Sequence, residues 1–121
     1  MPHMIVEYSN NLKDLQAEKL LLGLNQALIE TGHIKAAELK ARLSNTADFL
    51  IGLGDLDHAF IHVHVYLLAG RSDAEKKAIA DAAITALQAF SAYQADQLTV
   101  QLSVQLTDMP AADYRKSVVT H

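Results

Sequence analysis

The residue at position 2 is a proline, one of only two prolines in the 121-residue chain. Removal of Met1 would convert Pro2 into a free secondary amine, and the reference pKa of an α-amino group is about 8. Neighbouring cations and partial burial would both lower that pKa toward neutrality. A neutral amine of this kind takes up and returns protons at physiological pH. Pro2 is therefore a candidate general base, although a proline also suits the first residue of an edge strand for purely structural reasons.

Three cations form a second group of residues that could do chemistry. Arg71 lies between Gly70 and Ser72, directly before a predicted helix start, where free backbone N–H groups and the helix dipole favour an anion. Lys40 and Arg42 are two residues apart on a predicted strand, so they share one face and can converge on one carboxylate. Each cation also has an ordinary interpretation as a solvated or interface charge. The sequence offers all three as candidate carboxylate-binding residues.

Two histidines have a spacing that is compatible with metal binding. His62 and His64 lie on one face of a predicted strand, and His58 lies near its start. No Asp, Glu or Cys follows at a matching interval, so we favour interface or packing histidines over a metal site. The sequence also contains no cysteine, no nucleophile elbow and no phosphate-binding loop. We therefore expect neither a metal ion nor another cofactor.

The composition argues against several classes of partner. The chain has 10 Lys and Arg residues against 14 Asp and Glu residues, and it has no basic cluster of the kind that follows nucleic-acid phosphates. No apolar run approaches the roughly 20 residues of a membrane span, and the N-terminus does not resemble a signal peptide. We expect a cytoplasmic protein in which residues 1–121 form one domain, with neither nucleic acid nor a membrane as a partner.

The apolar periodicity predicts the elements that must position these side chains. A period of two indicates a strand and a period near 3.6 indicates a helix. Ser72 and Glu75 form a capping box, so the second helix should begin at Asp73. The predicted elements, in chain order, are a strand over 3–8, a helix over 12–30, a strand over 39–44, a strand over 58–68, a helix from 73 to near 93, and a strand over 98–106.

This order predicts an α+β fold built from two strand-helix-strand halves, with parallel strands within each half. Both helices should cover one face of a four-stranded mixed sheet. The predicted core set of the sheet is Leu39, Leu43, Ile61, Val63, Val65 and the even-numbered apolar residues of the last strand. The opposite face carries a mixed set: Lys40, Arg42, Phe60, His62, His64, Tyr66, Gln101 and Ser103. Because such a face suits neither a dry core nor an ordinary surface, we expect a trimer or similar ring that packs these faces around an axis.

Several stretches of the chain together resemble a known family. They are 2–8, Asn11, Thr31-Gly32, 57–62 and 69–72, and the similarity continues to about Leu106. The combination resembles 5-carboxymethyl-2-hydroxymuconate delta-isomerase, of the tautomerase superfamily with its macrophage migration inhibitory factor-like fold. The resemblance implies a homotrimer whose amino-terminal proline is the acid and base near a subunit boundary. It also implies a cofactor-free keto-enol and allylic isomerisation of a muconate-type polycarboxylate in aromatic catabolism.

The resemblance assigns roles to single residues. Pro2 takes the position of the proton-shuttling proline, Arg71 that of an arginine that binds a substrate carboxylate, and Arg42 falls on another arginine position. Lys40 stands where the resemblance leads us to expect arginine, and it keeps the charge without the planar two-donor fork. The tryptophans expected in the following segment are absent from the sequence. We expect a catalytic Pro2 and three substrate-binding residues: Arg71, Lys40 and Arg42.

Two other functions stay open on the sequence alone. One is a promiscuous tautomerase that acts on phenylpyruvate-like enols, which carry a single carboxylate. The other is a catalytically silent trimer that binds a small carboxylate or a protein partner, and retention of Met1 would favour it.

Overall fold

The computed structural model describes residues 2–121. Its elements, in chain order, are β1 (His3–Ser9), α1 (Ala17–Glu30), β2 (Lys40–Thr46), β3 (His58–Leu68), α2 (Asp73–Ala89) and β4 (Thr99–Met109), with short 3₁₀ turns at Ala36–Glu38 and Ala111–Asp113. The predicted order of strands and helices is confirmed. Within residues 2–121, no helix has the length and apolar character needed to cross a membrane.

The four strands form one mixed sheet in the order β2-β1-β3-β4. Within each half the strands are parallel, and the two halves meet through the antiparallel pair of β1 and β3. His3 is aligned with Lys40 on one side and with Tyr66 on the other. The starts of β1 and β2 therefore lie at the same end of the sheet as the ends of β3 and β4. We call it the Pro2 end, and it is marked by Pro2, Lys40 and Leu68.

Both helices cover one face of the sheet, as predicted. Because side chains alternate along a strand, every second residue of β3 points into this layer and is buried. The buried side chains from the strands are Met4, Val6, Tyr8, Ala59, Ile61, Val63, Val65 and Leu67, and those from the helices are Leu20, Leu24, Leu28, Ile79, Ala83 and Leu87. Leu39 is buried too, whereas Leu43 and the even-numbered apolar residues of β4 are partly buried against the core. The predicted core face is confirmed.

The other face of the sheet, which we call the open face, carries the mixed set predicted from the sequence: Lys40, Arg42, Phe60, His62, His64, Tyr66, Gln101 and Ser103. Histidines of β3 pair with polar groups of β4 across it, at 2.6 Å from His62 to Ser103 and 2.6 Å from His64 to Thr107. His64 also stacks on Tyr66 with ring centroids 4.1 Å apart. In the part of the chain that the structure describes, no group of three or more His, Cys, Asp or Glu side chains is placed to hold a metal ion.

The first helix begins at Ala17, later than the Leu12 start that the apolar spacing predicts. Leu12 is buried in the core, but it belongs to the connection that follows β1. Lys13 and Gln94 exchange two backbone hydrogen bonds at 2.9 and 2.7 Å, and Asp14 has a left-handed φ of 51°. A helix over this stretch would need the Lys13 carbonyl and a right-handed Asp14, so the prediction was wrong there.

The second helix begins at Asp73, as predicted. The Ser72 hydroxyl accepts a hydrogen bond from the Glu75 backbone N–H at 3.1 Å, and a Glu75 carboxylate oxygen accepts one from the Ser72 N–H at 3.3 Å. The Ser72 N–H bond, together with a bond from the Ser72 hydroxyl to the same carboxylate oxygen at 3.1 Å, lowers the pKa of the Glu75 carboxyl because both stabilise its charged form. The cap fixes where the helix starts, and Arg71 is the residue immediately before it.

Candidate active site

Pro2 is buried at the point where β1 begins. Its carbonyl oxygen accepts a hydrogen bond from the backbone N–H of Lys40 at 3.1 Å. This bond continues the parallel pairing of β1 with β2 beyond the His3–Lys40 pair. The backbone of Pro2 is therefore held beside the start of a strand that carries two cations.

Those two cations, Lys40 and Arg42, alternate along β2 with the core-facing residues and so lie on the open face. The Lys40 Nζ donates to the Glu38 carbonyl oxygen at 2.8 Å. Partial burial and the neighbouring Lys116 ammonium lower the pKa of Lys40, and the Glu38 carboxylate acts in the opposite direction. Arg42 lies near the histidine of the adjacent strand, with its Nη1 3.1 Å from His3 Nδ1.

His3 links these cations to the C-terminal segment. A guanidinium only donates, so His3 Nδ1 accepts the hydrogen bond from Arg42. His3 Nε2 lies 3.0 Å from the Tyr114 hydroxyl, and the two rings meet edge to face with centroids 5.9 Å apart. A neutral imidazole that accepts at Nδ1 carries its proton on Nε2, so it donates to Tyr114. Burial and the nearby cations, Arg42 before Lys40, lower the pKa of His3 and favour this neutral form.

Arg71 lies three residues after the end of β3, at the Pro2 end of the sheet. Its Nη1 donates to the Leu68 carbonyl oxygen at 3.4 Å, and its Nη2 donates to the His33 carbonyl oxygen at 3.2 Å. His33 belongs to the connection between α1 and β2, and its Nδ1 lies 3.5 Å from a Glu75 carboxylate oxygen. A guanidinium has five N–H donors, so these backbone contacts leave other donors for an anion.

The strand order places the predicted site residues on both sides of Pro2. Because β1 lies between β2 and β3, Pro2 has Lys40 on one side and the segment that leads to Arg71 on the other. Arg42 lies one pair further along β2, opposite Ile5. The roles of these four residues stay predictions, which we develop below.

Sequence reasoning missed three residues of this end: His3, Tyr114 and Lys116. The predicted elements end at residue 106, so they leave the path of the segment after β4 open. A signal was nevertheless present, since an aromatic residue and two adjacent cations, Tyr114-Arg115-Lys116, stand in the tail of a chain whose net charge is −4. Such a basic, aromatic stretch in an acidic protein suits contact with an anion.

Two grooves on the helical layer are poorer candidates for the site. They lie between α1 and α2, with volumes of about 490 and 310 Å³. Glu30 and Asp81 line the larger groove, so its charge would repel an anionic ligand. Neither groove is lined by Pro2 or by the predicted carboxylate-binding residues. The Pro2 end is the place where the candidate base, Pro2, lies beside the predicted carboxylate-binding cations.

This arrangement suits proton transfer beside a carboxylate. Cations that are already in place stabilise the negative charge that develops when a proton leaves carbon or an enol. A free Pro2 amine is expected to accept that proton and return it.

Comparisons with known proteins support this chemistry. The sequence profile of the 5-carboxymethyl-2-hydroxymuconate isomerase family matches residues 2–121. A solved 5-carboxymethyl-2-hydroxymuconate isomerase from Deinococcus radiodurans R1 has a TM-score of 0.85 and 28% identity, covering 96% of this chain and 88% of that chain. A solved 5-carboxymethyl-2-hydroxymuconate delta-isomerase has a TM-score of 0.80 and 21% identity, covering 99% and 89%. The wild-type fused 4-OT called Q0, a symmetric trimer, has a TM-score of 0.72 and 25% identity, covering 93% and 89%.

No curated protein is significantly similar to the chain in sequence. The family profile nevertheless spans the whole described chain, and the solved structures share its four-stranded mixed sheet with two helices. The resemblance noted in the sequence is confirmed, and so is the tautomerase-type fold. The chain belongs to the 5-carboxymethyl-2-hydroxymuconate isomerase family, whose members are isomerases of the tautomerase superfamily.

Proposed function

We propose that this chain isomerises 5-carboxymethyl-2-hydroxymuconate, or a closely related 2-hydroxymuconate-type polycarboxylate, without a cofactor. The observation that carries the proposal is the position of Pro2, which is buried between a strand bearing two cations and the segment that leads to Arg71. The family match and the activity named for the Deinococcus radiodurans relative support the substrate class. A cytoplasmic location is part of the proposal, to be tested by fractionating the host cell.

The proposed reaction moves one proton within one molecule. After removal of Met1, the secondary amine of Pro2 takes the proton of the 2-hydroxyl group, and the O–H electron pair passes into a conjugated dienolate. The Pro2 ammonium then returns the proton to a carbon further along the conjugated system, and the 2-oxo group forms. No atom is gained or lost, and Pro2 ends as it began, so one residue acts first as base and then as acid.

The three cations bind the substrate and stabilise the dienolate. Arg71 is oriented by two backbone carbonyls and presents its remaining donors to a carboxylate. Lys40 offers a point charge rather than a planar fork, so it fixes a carboxylate less strictly in angle than arginine would. Arg42 adds charge from the next open-face position of β2.

The proposal includes a homotrimer. The open face combines Phe60 with histidines and Tyr66, a mixture that suits contact between subunits. A solved relative of the same fold, the Q0 fused 4-OT, is a symmetric trimer. In a closed ring, each open face would be covered and a neighbouring subunit could approach Pro2. Light scattering should give about three times the protomer mass of 13.2 kDa, and a monomer at micromolar concentration would contradict the assembly.

A panel of enols with one, two and three carboxylates tests the substrate class. The enzyme should prefer 5-carboxymethyl-2-hydroxymuconate over 2-hydroxymuconate, and 2-hydroxymuconate over phenylenolpyruvate. Each additional charge-assisted contact should raise kcat/KM about tenfold. The ultraviolet absorbance of the conjugated system reports the rate for each substrate. Equal kcat/KM across the panel would favour the promiscuous phenylpyruvate-type tautomerase. Binding of the carboxylates without turnover by the Met1-free protein would favour the silent binding protein.

A further inference from the structure

The chain that follows β4 crosses the Pro2 end of the sheet. β4 and β2 are the two edge strands, and after the 3₁₀ turn at Ala111–Asp113 the chain runs from the β4 edge toward the β2 edge. Tyr114 meets His3 on β1, with 3.0 Å between the hydroxyl and Nε2. Lys116, two residues further along, is close enough to Lys40 of β2 for its ammonium to lower the pKa of that lysine. Two residues of this segment thus stand next to the two strands that hold Pro2.

Tyr114 and Arg42 bond to the two ring nitrogens of the same imidazole, that of His3. The His3 proton lies on Nε2, where it is donated to the Tyr114 hydroxyl, and this leaves the Nδ1 lone pair to accept from Arg42 at 3.1 Å. Without a partner at Nε2, the other tautomer becomes available, and it offers Arg42 a donor instead of an acceptor. Arg42 is exposed, and its bond to His3 restricts the side chain before a ligand arrives. The side chain therefore loses less rotamer freedom when it binds a ligand.

The charge around the segment is positive. Lys40, Arg42 and Lys116 supply three cations, and Glu38 is an acidic neighbour of Lys40 whose influence on that ammonium is smaller than that of Lys116. Two ammonium groups side by side repel each other, and a carboxylate bound between them relieves the repulsion. A lysine ammonium has three donors, so Lys116 can keep its contacts within the protein and still bind such an anion.

We propose that the C-terminal segment completes the substrate site: Lys116 binds one substrate carboxylate together with Lys40, and Tyr114 is a positioning residue that holds Arg42 through His3. The assignment rests on the proposed function, since it concerns how the same polycarboxylate is recognised. It makes this segment a determinant of specificity for substrates with more than one carboxylate.

Lys116→Ala tests the binding role, with Lys13→Ala as the matched control. Lys13 is an exposed lysine beyond the far end of β1, so its loss makes the same change in net charge away from Pro2. Lys116→Ala should lower kcat/KM for 5-carboxymethyl-2-hydroxymuconate about tenfold or more, mainly through KM, as expected for one lost charge-assisted contact. It should change phenylenolpyruvate turnover less than threefold, and Lys116→Arg should restore most of the loss. Lys13→Ala should leave both substrates unchanged.

Tyr114→Phe tests the positioning role, because it keeps the ring against His3 and removes only the hydroxyl. KM for the tricarboxylate should rise severalfold with the thermal midpoint unchanged. Nitrogen NMR of the imidazole should show the Nε2-protonated tautomer of His3 in the wild type and a mixture of tautomers in the variant. An unchanged tautomer together with an unchanged KM would overturn the positioning role.

Equilibrium binding separates failure of this inference from failure of the proposed function. A saturated tricarboxylate analogue cannot isomerise, and calorimetry measures its affinity whether or not the protein is an isomerase of muconates. Weaker binding to Lys116→Ala than to Lys13→Ala supports the inference even if the wild type turns over no muconate. Equal affinity for both variants, or equal losses for tricarboxylate and monocarboxylate substrates, overturns it.

Discussion

Two backbone carbonyls orient the side chain of Arg71, and they come from separate elements. Leu68 lies at the end of β3 and His33 lies in the connection that leads to β2. A guanidinium that is held before substrate arrives loses less freedom when it binds. A lysine at this position has one compact ammonium, which cannot serve both carbonyls and a carboxylate in the same geometry. In the proposed binding role, we therefore expect the shape of Arg71 to matter as well as its charge.

Substitution of Arg71 separates these two contributions. Arg71→Lys should lower kcat/KM for 5-carboxymethyl-2-hydroxymuconate about tenfold and Arg71→Ala about a hundredfold, because a charge-assisted bidentate contact is first weakened and then lost. Steady-state kinetics measure both effects, and a thermal melt checks that each variant is folded. Wild-type kinetics in Arg71→Lys would show that charge alone is sufficient.

For single residues, the sequence predicts roles only for those that lie in recognisable local motifs, and these roles stay predictions. Pro2 directly follows Met1 at the start of the chain, and Arg71 directly precedes the capping box of α2. Both features are visible in the sequence. His3 and Tyr114 have no such feature, because their contact joins residues 111 positions apart. Only the path of the segment after β4 brings them together, and a single sequence carries little information about that path.

The elements differ in how strongly local sequence determines them. β3 was predicted with the bounds His58–Leu68 because its alternation of apolar and polar residues is continuous. α2 begins where its capping box predicts, but it ends at Ala89 instead of near Tyr93. Because Gln94 pairs with Lys13, the residues between Ala89 and Gln94 are not helical. The same pairing prevents α1 from starting at Leu12. A long-range backbone pairing thus overrides the apolar spacing at both places.

Removal of the cap tests how much α2 depends on it. Ser72→Ala should lower the free energy of unfolding by about 1 kcal/mol, the usual cost of losing a side-chain N-cap. Urea denaturation measures the change, with Ser91→Ala, at an exposed serine beyond α2, as the control. Because Leu68 and His33 still hold Arg71, kcat/KM should fall less than threefold. A variant with unchanged stability would mean that the capping box contributes little to the helix.

For the whole molecule, the open face is where protomers would meet. Its histidines are already bonded to Ser103, Thr107 and Gln101 within the protomer, so a neighbour would meet a polar surface whose imidazoles have partners. Burial and the neighbouring His62 lower the pKa of His64, and Glu7 opposes that shift. In the folded protein, His64 therefore stays neutral to a lower pH than it does in the unfolded chain.

The lowered pKa of His64 predicts how stability depends on pH. As the pH falls, the unfolded chain takes up a proton at about 6.5, whereas the folded protein resists protonation until a lower pH. The stabilisation is present above about pH 6.5 and is lost as the pH falls through that value toward the folded pKa. Urea denaturation at pH 7.5 and 5.5, at a fixed protein concentration, should show a smaller loss in His64→Gln than in the wild type. Equal losses would remove His64 from the explanation.

The central claim is that a free Pro2 amine carries the proton. With Met1 attached, the Pro2 nitrogen is a tertiary amide, which is neither basic nor a donor. The decisive measurement is the turnover of 5-carboxymethyl-2-hydroxymuconate by two preparations of the same chain, with Met1 removed or retained as intact mass confirms. We predict isomerisation by the Met1-free protein alone, with turnover by the retained form no greater than its residual Met1-free fraction. Equal turnover by both preparations would contradict the mechanism.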